Sequence, residues 1–232
     1  MTAIKGASVL VTGGNRGIGK ALVEELYARG ARTVYATARD ARTVTHPDAV
    51  PLSLEVTDPA SVAAAAERAG DVTILINNAG TASRASYLDS PLEDVRRDLD
   101  VNFYGPLLVT RAFVPVLERA GGGHVLNVHS VLSWLADGTP YSASKAALWS
   151  QTNSLRLKLR PRGIAVTGLH VAYVDTDMTA GIDAPKSTPG DVATAALDGI
   201  ETGAHEVLVD DRTRRVRSAL SGELRDLYEQ LD

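Results

Sequence analysis

At 232 residues, with 44% hydrophobic residues and a formal net charge of −4, the chain has the size of one large α/β domain with a substantial core. The mildly acidic balance gives no reason to expect nucleic acid or an anionic membrane as partner, and the absence of cysteine excludes disulfides and thiolate catalysis. No apolar run is long enough to span a bilayer, the five histidines lack the close spacing of a zinc site, and the first residues lack a signal peptide's apolar stretch. The expectation is a soluble cytoplasmic protein with no bound metal.

Residues 7–11 form a short apolar run that reads as a buried strand. Thr12-Gly13-Gly14-Asn15-Arg16-Gly17-Ile18-Gly19 follows directly, and then Ala21, Leu22, Leu26 and Tyr27 recur with helical periodicity up to Gly30. Strand, glycine loop and helix in that order point to a dinucleotide site. Glycines let the backbone turn tightly beside a pyrophosphate, and the helix N-terminus attracts the anion. Residues 33–37 read as the second strand, which ends in Ala38-Arg39 with no acid before Asp40. An acid there would select the ribose 2′-hydroxyl of NAD, whereas Arg39, with Arg16 nearby, suits the 2′-phosphate of NADP. The alternative is that both arginines are solvated and Asp40 turns inward.

A third strand is predicted over residues 52–56, and Asp58-Pro59 starts a helix, with Asp58 as its N-cap. The fourth strand, residues 73–76, ends in Asn77-Asn78-Ala79-Gly80, small and amide residues that suit close backbone approach to a ligand. Ser90-Pro91-Leu92-Glu93 has the pattern of a capping box. It opens a long helix to about residue 119, bent at Gly105-Pro106 and Pro115. Asn102, midway along it, is either a satisfied core amide or a functional one.

Residues 125–128 read as the fifth strand, with His129 and Ser130 at its carboxyl end, where ligands bind in open α/β sheets. His129 reads as a packed strand-end residue. Tyr141-Ser142-Ala143-Ser144-Lys145 lies in a helix that runs to Pro161 and puts Tyr141 and Lys145 on one face. An ammonium group one turn away favours the phenolate, so the pair reads either as a proton donor and acceptor with a lowered phenol pKa or, as such spacings commonly do, as part of a solvated helix face. Residues 164–170 form the sixth strand, 171–187 a loop over the site, 188–202 a helix and 205–209 the seventh strand. Val216, Leu220, Leu224, Leu227 and Leu231 mark an amphipathic helix over 211–232, which packs back on the domain or forms a subunit contact. Arg212, Arg214, Arg215 and Arg217 read as a solvated helix start with local ion pairs. Strand and helix alternate throughout, which predicts one domain: a Rossmann-type, doubly wound, mostly parallel seven-stranded sheet covered on both faces.

The glycine loop, Asn77-Asn78-Ala79-Gly80, Asn102, Ser130 and the Tyr141/Lys145 pair, in this order, resemble the classical short-chain dehydrogenase/reductases over roughly residues 6–210. The resemblance implies an oxidoreductase that interconverts a ketone or aldehyde and an alcohol with NADP(H) in preference to NAD(H). Tyr141 would be the general acid and base, and Lys145 would lower its pKa and hold the nicotinamide ribose. Ser130 would bind the substrate oxygen, with Ser133 as alternative, and Asn102 would hold a relay water. Hydride would pass between nicotinamide C4 and the substrate carbon. The cofactor would meet Gly13, Asn15, Arg16, Gly17, Ile18, Gly19, Arg39, Glu55, Val56, Asn78, Ala79, Gly80, Tyr141, Lys145, Val174 and Thr176. Trp134, Leu135, Tyr173 and Met178 are candidates to line the pocket of a small or medium apolar substrate. The assembly implied is a homodimer or homotetramer. Rival readings are a non-enzymatic NADP-binding redox sensor, which would bind NADPH without turnover, and an isomerase or epimerase, which would consume none.

Three departures from the family pattern stand out. Glu55 takes the place of an aspartate near the third strand's end, and Val171-Ala172 replaces the Pro-Gly pair after the sixth strand. The interval from Ser130 to Tyr141 is also about two residues short.

Overall fold

The computed structural model describes residues 2–228. Seven strands form one sheet in the order β3-β2-β1-β4-β5-β6-β7, and every pairing is parallel. They are β1 Ser8–Val11, β2 Thr33–Ala38, β3 Val50–Ser53, β4 Ile74–Asn77, β5 Gly123–Val128, β6 Ile164–His170 and β7 Glu206–Leu208. Among the described residues the α-helices are α1 Gly17–Ala28, α2 Pro59–Arg68, α3 Leu92–Leu99, α4 Gly105–Arg119, α5 Pro140–Leu159, α6 Pro189–Thr202 and α7 Asp211–Ala219.

The strands alternate their side chains between two cores, as period-two geometry requires. Val9 and Val11 point to α1 and α6, where Leu22, Leu26, Val192, Leu197 and Ile200 bury. Leu10 and Leu75 point the other way, to α2 and α4, where Val62, Val109, Phe113 and Leu117 bury. A sheet buried on both faces explains the near-continuous apolar runs read from the sequence. Strand order reverses between β1 and β4, which places a crevice at their carboxyl ends.

Several expectations need correction. The third strand lies two residues earlier than predicted, at Val50–Ser53, so Glu55 and Val56 stand beyond its end. Pro51 sits in this strand because β3 is the sheet's edge, where a missing N–H leaves no ladder bond unmade. The predicted capping box does not form. Pro91 is the N-cap residue of α3 and makes no side-chain cap bond, while the Ser90 hydroxyl accepts from the Ser86 N–H at 2.9 Å. The expected bend between α3 and α4 takes the form of a π turn, Asp100–Tyr104, just before Pro106, which has no N–H to return to Asn102. The C-terminal helix is shorter than the predicted span and stops at Ala219, with a single 3-10 turn at Leu224–Asp226; Leu231 lies outside the described residues. The Asp58 cap is present, its carboxylate accepting from the Ala60 and Ser61 N–H groups. Among the described residues no helix is long and apolar enough to cross a membrane, and no cluster of residues could hold a metal ion.

Candidate active site

The carboxyl ends of the strands open on a cleft of about 1390 Å³. One end is built by the glycine loop. Gly13 and Gly17 adopt φ of +66° and +51° and line the cleft, a conformation that disfavours side chains. Gly19 serves packing instead: a Cβ there would lie 2.0 Å from Gly13 O, so the helix could not start this close to the loop. Asn78 fastens the loop from the β4 side. Its amide donates to Thr12 O at 2.9 Å and Gly13 O at 3.2 Å, and the N–H groups of Asn78 and Ala79 donate to Thr12 Oγ1. Asn15, Arg16 and Ile18 line the same end with Arg39, Glu55, Val56, Ala79 and Gly80.

Charges at this end are divided unequally. Arg16 bonds Asp177 at 3.1 Å, and Asp40, which also lines the cleft, is paired with Arg42 and caps a short turn. Arg39 lines the cleft with no carboxylate partner among the described residues. Glu55 turns back to accept from the Thr57 hydroxyl at 2.9 Å. Open backbone at Gly13 and Gly17, a helix N-terminus and a free guanidinium fit a dinucleotide phosphate.

The other end holds Ser130, Tyr141 and Lys145. Lys145 reaches from α5 to the end of β5, where its buried ammonium donates to Val128 O at 2.9 Å, and it lies 5.7 Å from the Tyr141 ring centre. Burial draws its pKa down to about 8, with the charge of Asp98 opposing. The Tyr141 phenol differs from expectation. Burial pushes its pKa up to about 12, offset in part by the Ser130 side chain, while Asp137 and Asp98 add to the rise. Desolvation disfavours the phenolate, the reverse of the lowering expected from the Lys145 ammonium.

Ser130 Oγ accepts from the Leu132 N–H at 3.1 Å, which leaves its own O–H to donate. Ser133 Oγ folds back toward the Ser130 N–H at 3.5 Å and does not line the cleft. Asn102 is buried in the π turn, and its amide is fully engaged: Oδ1 accepts from the Thr81 N–H, and Nδ2 donates to Thr81 O and Ser144 Oγ. It fixes the segment after Gly80, where a Cβ would meet Asn102 Oδ1 at 3.1 Å. A buried chain of side chains ties β4 and β5 to α5, from Asn77 to Asn127 at 2.8 Å, Asn127 to Thr152 at 2.8 Å and Thr152 to His129 at 3.0 Å. Burial holds His129 well below its ordinary pKa, consistent with a packed, neutral ring.

Leu135, Tyr173 and Met178 line the cleft, as do Val174 and Thr176. Trp134 does not. It is buried, stacked at 4.1 Å on His170, which in turn stacks at 4.5 Å on His129. The short interval after Ser130 is taken up by a 3-10 turn, Val131–Ser133, that tucks Trp134 beneath it. Where the Pro-Gly pair was expected, the Ala172 N–H donates to the Asp210 carboxylate at 2.7 Å, so a side chain from the β7–α7 turn holds that loop. Arg212, Leu227 and Tyr228 also line the cleft, and the Tyr228 hydroxyl accepts from the Ala136 N–H at 2.7 Å. Sequence reasoning missed these three. Only Arg212 carried a signal, in lying just beyond the carboxyl end of a strand.

Among known proteins, the profile described as short chain dehydrogenase matches residues 7–187. The chain belongs to the short-chain dehydrogenases. Within this oxidoreductase family it is similar to the NADPH-dependent 1-acyldihydroxyacetone phosphate reductase of Schizosaccharomyces pombe, at 38% identity over 72% of this chain and 60% of that protein. The chain thus spans less than two thirds of that relative's length. A short chain dehydrogenase of Burkholderia cenocepacia solved in complex with NADP superposes with a TM-score of 0.93 at 35% identity, over 100% of this chain and 99% of the other. A 3-ketoacyl-(acyl-carrier-protein) reductase of Brucella melitensis complexed with NADH is similar at 25% identity and a TM-score of 0.84, over 90% and 99%. Short-chain dehydrogenases similar to this chain thus include both NADP and NADH complexes.

Proposed function

We propose that the protein is an NADP(H)-dependent carbonyl reductase or alcohol dehydrogenase acting on a ketone, an aldehyde or the matching alcohol. The observation that carries this reading is that the half-buried phenol Tyr141 lines one cleft with Ser130, Lys145 and the glycine loop. A bound nicotinamide supplies or accepts the hydride. Gly13, Gly17, Ile18, Asn78, Ala79, Val174 and Thr176 would hold the cofactor, with Arg39 on its 2′-phosphate.

The chain's own residues then handle the oxygen and its proton. Tyr141 donates its phenol proton to the substrate oxygen as negative charge builds there, and the Ser130 O–H donates a second bond to the same atom. A phenol pKa near 12 keeps the donor loaded in the reducing direction; oxidation requires a charge close by to draw that value down. Lys145 is the charge available, with two N–H donors left after its bond to Val128 O. A relay water beside Asn102 would be held by the main-chain carbonyl, because the side-chain amide is engaged. A homodimer or homotetramer remains part of the proposal, to be read by light scattering on the purified protein.

The test is a panel of carbonyls and alcohols followed by NADPH absorbance and repeated with NADH. The proposal expects NADPH loss with a carbonyl and weaker use of NADH. Tight NADPH binding without turnover across the panel would overturn it in favour of a binding module.

A further inference from the structure

The substrate end of the cleft carries a positive charge that neither the fold nor the proposed chemistry uses. Arg212 lies in the first turn of α7, where the helix dipole disfavours a cation. Two of its neighbours in the arginine cluster, Arg214 and Arg217, are engaged, while Arg215 does not line the cleft. Arg214 pairs with Asp211 at 2.7 Å, and Arg217 pairs with Glu206 at 3.0 Å and lies 5.7 Å over Trp134. Arg212 has no carboxylate partner among the described residues. Its guanidinium lies 5.2 Å over the Tyr173 ring, and both residues line the cleft that holds Tyr141 and Ser130. Stacking on an aromatic face fixes the plane of a guanidinium and leaves its edge N–H groups to bind an anion.

The position is held from behind. Asp210 Oδ2 accepts from the Ala172 N–H at 2.7 Å, and Oδ1 accepts from the Thr213 N–H at 2.8 Å. One side chain thereby ties the residue before Tyr173 to the residue after Arg212. Two acids that also line the cleft, Asp137 and Asp175, do not pair with Arg212. Asp137 accepts from the Thr139 N–H and hydroxyl, and Asp175 lies 4.0 Å from Lys186. The cleft lining also includes the apolar Leu132, Leu135, Met178, Ile182 and Leu227 and two further arginines, Arg84 and Arg97; neither of these arginines stacks on an aromatic ring as Arg212 does among the described residues.

We infer that Arg212 is a specificity-determining residue that binds an anionic group, carboxylate or phosphate, on a carbonyl substrate whose body is apolar. This deepens the carbonyl-reductase reading and rests on it. The anion meets the edge of the Arg212 guanidinium while the carbonyl meets Tyr141 and Ser130. The Tyr173 ring meets the face of the exposed guanidinium, and Asp210 fixes the backbone beside both residues.

The test uses straight-chain keto acids with graded spacing between carbonyl and carboxylate, each paired with its methyl ester. NADPH consumption is measured for the wild-type chain and for Arg212→Ala, Arg212→Lys and the control Arg97→Ala, another arginine lining the cleft. Wild type should prefer the acid of the best-spaced pair, in KM more than in kcat. Arg212→Ala should lose about 10-fold to 100-fold of that preference, the range of a charge-assisted pair, and Arg212→Lys should restore part of it. Turnover of the ester should change little in Arg212→Ala. Calorimetric binding of acid and ester to the complex with NADP+ makes the same comparison without turnover. An ester handled as well as its acid by wild type, or an acid preference kept by Arg212→Ala or lost in Arg97→Ala, overturns the inference. If esters are reduced without acid preference, only the Arg212 assignment fails. If the acid binds preferentially through Arg212 but nothing in the panel is reduced, the carbonyl-reductase reading fails while the anion site stands.

Discussion

Replacing Arg39 by alanine should weaken NADPH much more than replacing Arg16. Both arginines stand at the end of the cleft beside β2 and the glycine loop, but only Arg16 is committed, to Asp177 at 3.1 Å. A guanidinium–phosphate pair contributes about 1.5–3 kcal/mol where it is well ordered. Arg39 is exposed, so screening brings the expected loss to about 1–2 kcal/mol, or about 5-fold to 30-fold in KM for NADPH. Arg16 must give up Asp177 to reach the phosphate, and its removal should change that KM by no more than about 3-fold. NADH lacks the phosphate and should be indifferent to either change. Adding Ala38→Asp to Arg39→Ala supplies the ribose acceptor that the native turn lacks and should move preference toward NADH. Steady-state kinetics with each cofactor and a fluorescence titration of NADPH make the comparison. An unaltered NADPH KM in Arg39→Ala, or a larger effect from Arg16→Ala, would refute the division of charge described above.

Asp210→Ala removes both the N-cap of α7 and the acceptor for the Ala172 N–H, a combined loss of about 2–4 kcal/mol. A thermal melt should fall by about 5–15 °C, with Asp210→Asn in between; an unshifted melt would mean that the turn before Tyr173 is held otherwise. Stability should also depend on pH through the buried histidines. Burial lowers His124 and His170 to about 4, so the folded state binds their protons less readily than the unfolded chain. Their contribution is fully present above about pH 6.5 and is lost as pH falls toward 4, up to about 3 kcal/mol for each. Urea melts across that window should show the slope, and His124→Gln should flatten it; an equal slope in the variant would contradict the assignment.

Much of the site was legible because it is written in local patterns. The glycine loop, the tetrapeptide after β4 and the Tyr141/Lys145 spacing each announce a backbone geometry within a few residues, and the sheet brings them together through an alternation visible in the sequence. What escaped was decided by contacts between distant segments. Trp134 follows β5 and reads as a pocket aromatic, but His170 from β6 offers it a ring to stack on. Ser90 has the spacing of a cap, but the Ser86 N–H claims its hydroxyl. The tail reads as one amphipathic helix, whereas Leu227 and Tyr228 return to the cleft. The raised phenol pKa escapes for a related reason: helix spacing reveals the ammonium, while desolvation, the largest cause of the rise, depends on how distant segments pack around the ring.

The central claim is that Tyr141 is the proton donor of an NADPH-dependent carbonyl reduction, and Tyr141→Phe tests it most directly. The substitution keeps the ring and removes the hydroxyl. With the best carbonyl of the panel, measured beside an NADPH titration of the same variant, turnover should be abolished while NADPH binding stays close to wild type. Near-normal turnover with intact NADPH binding would contradict the account.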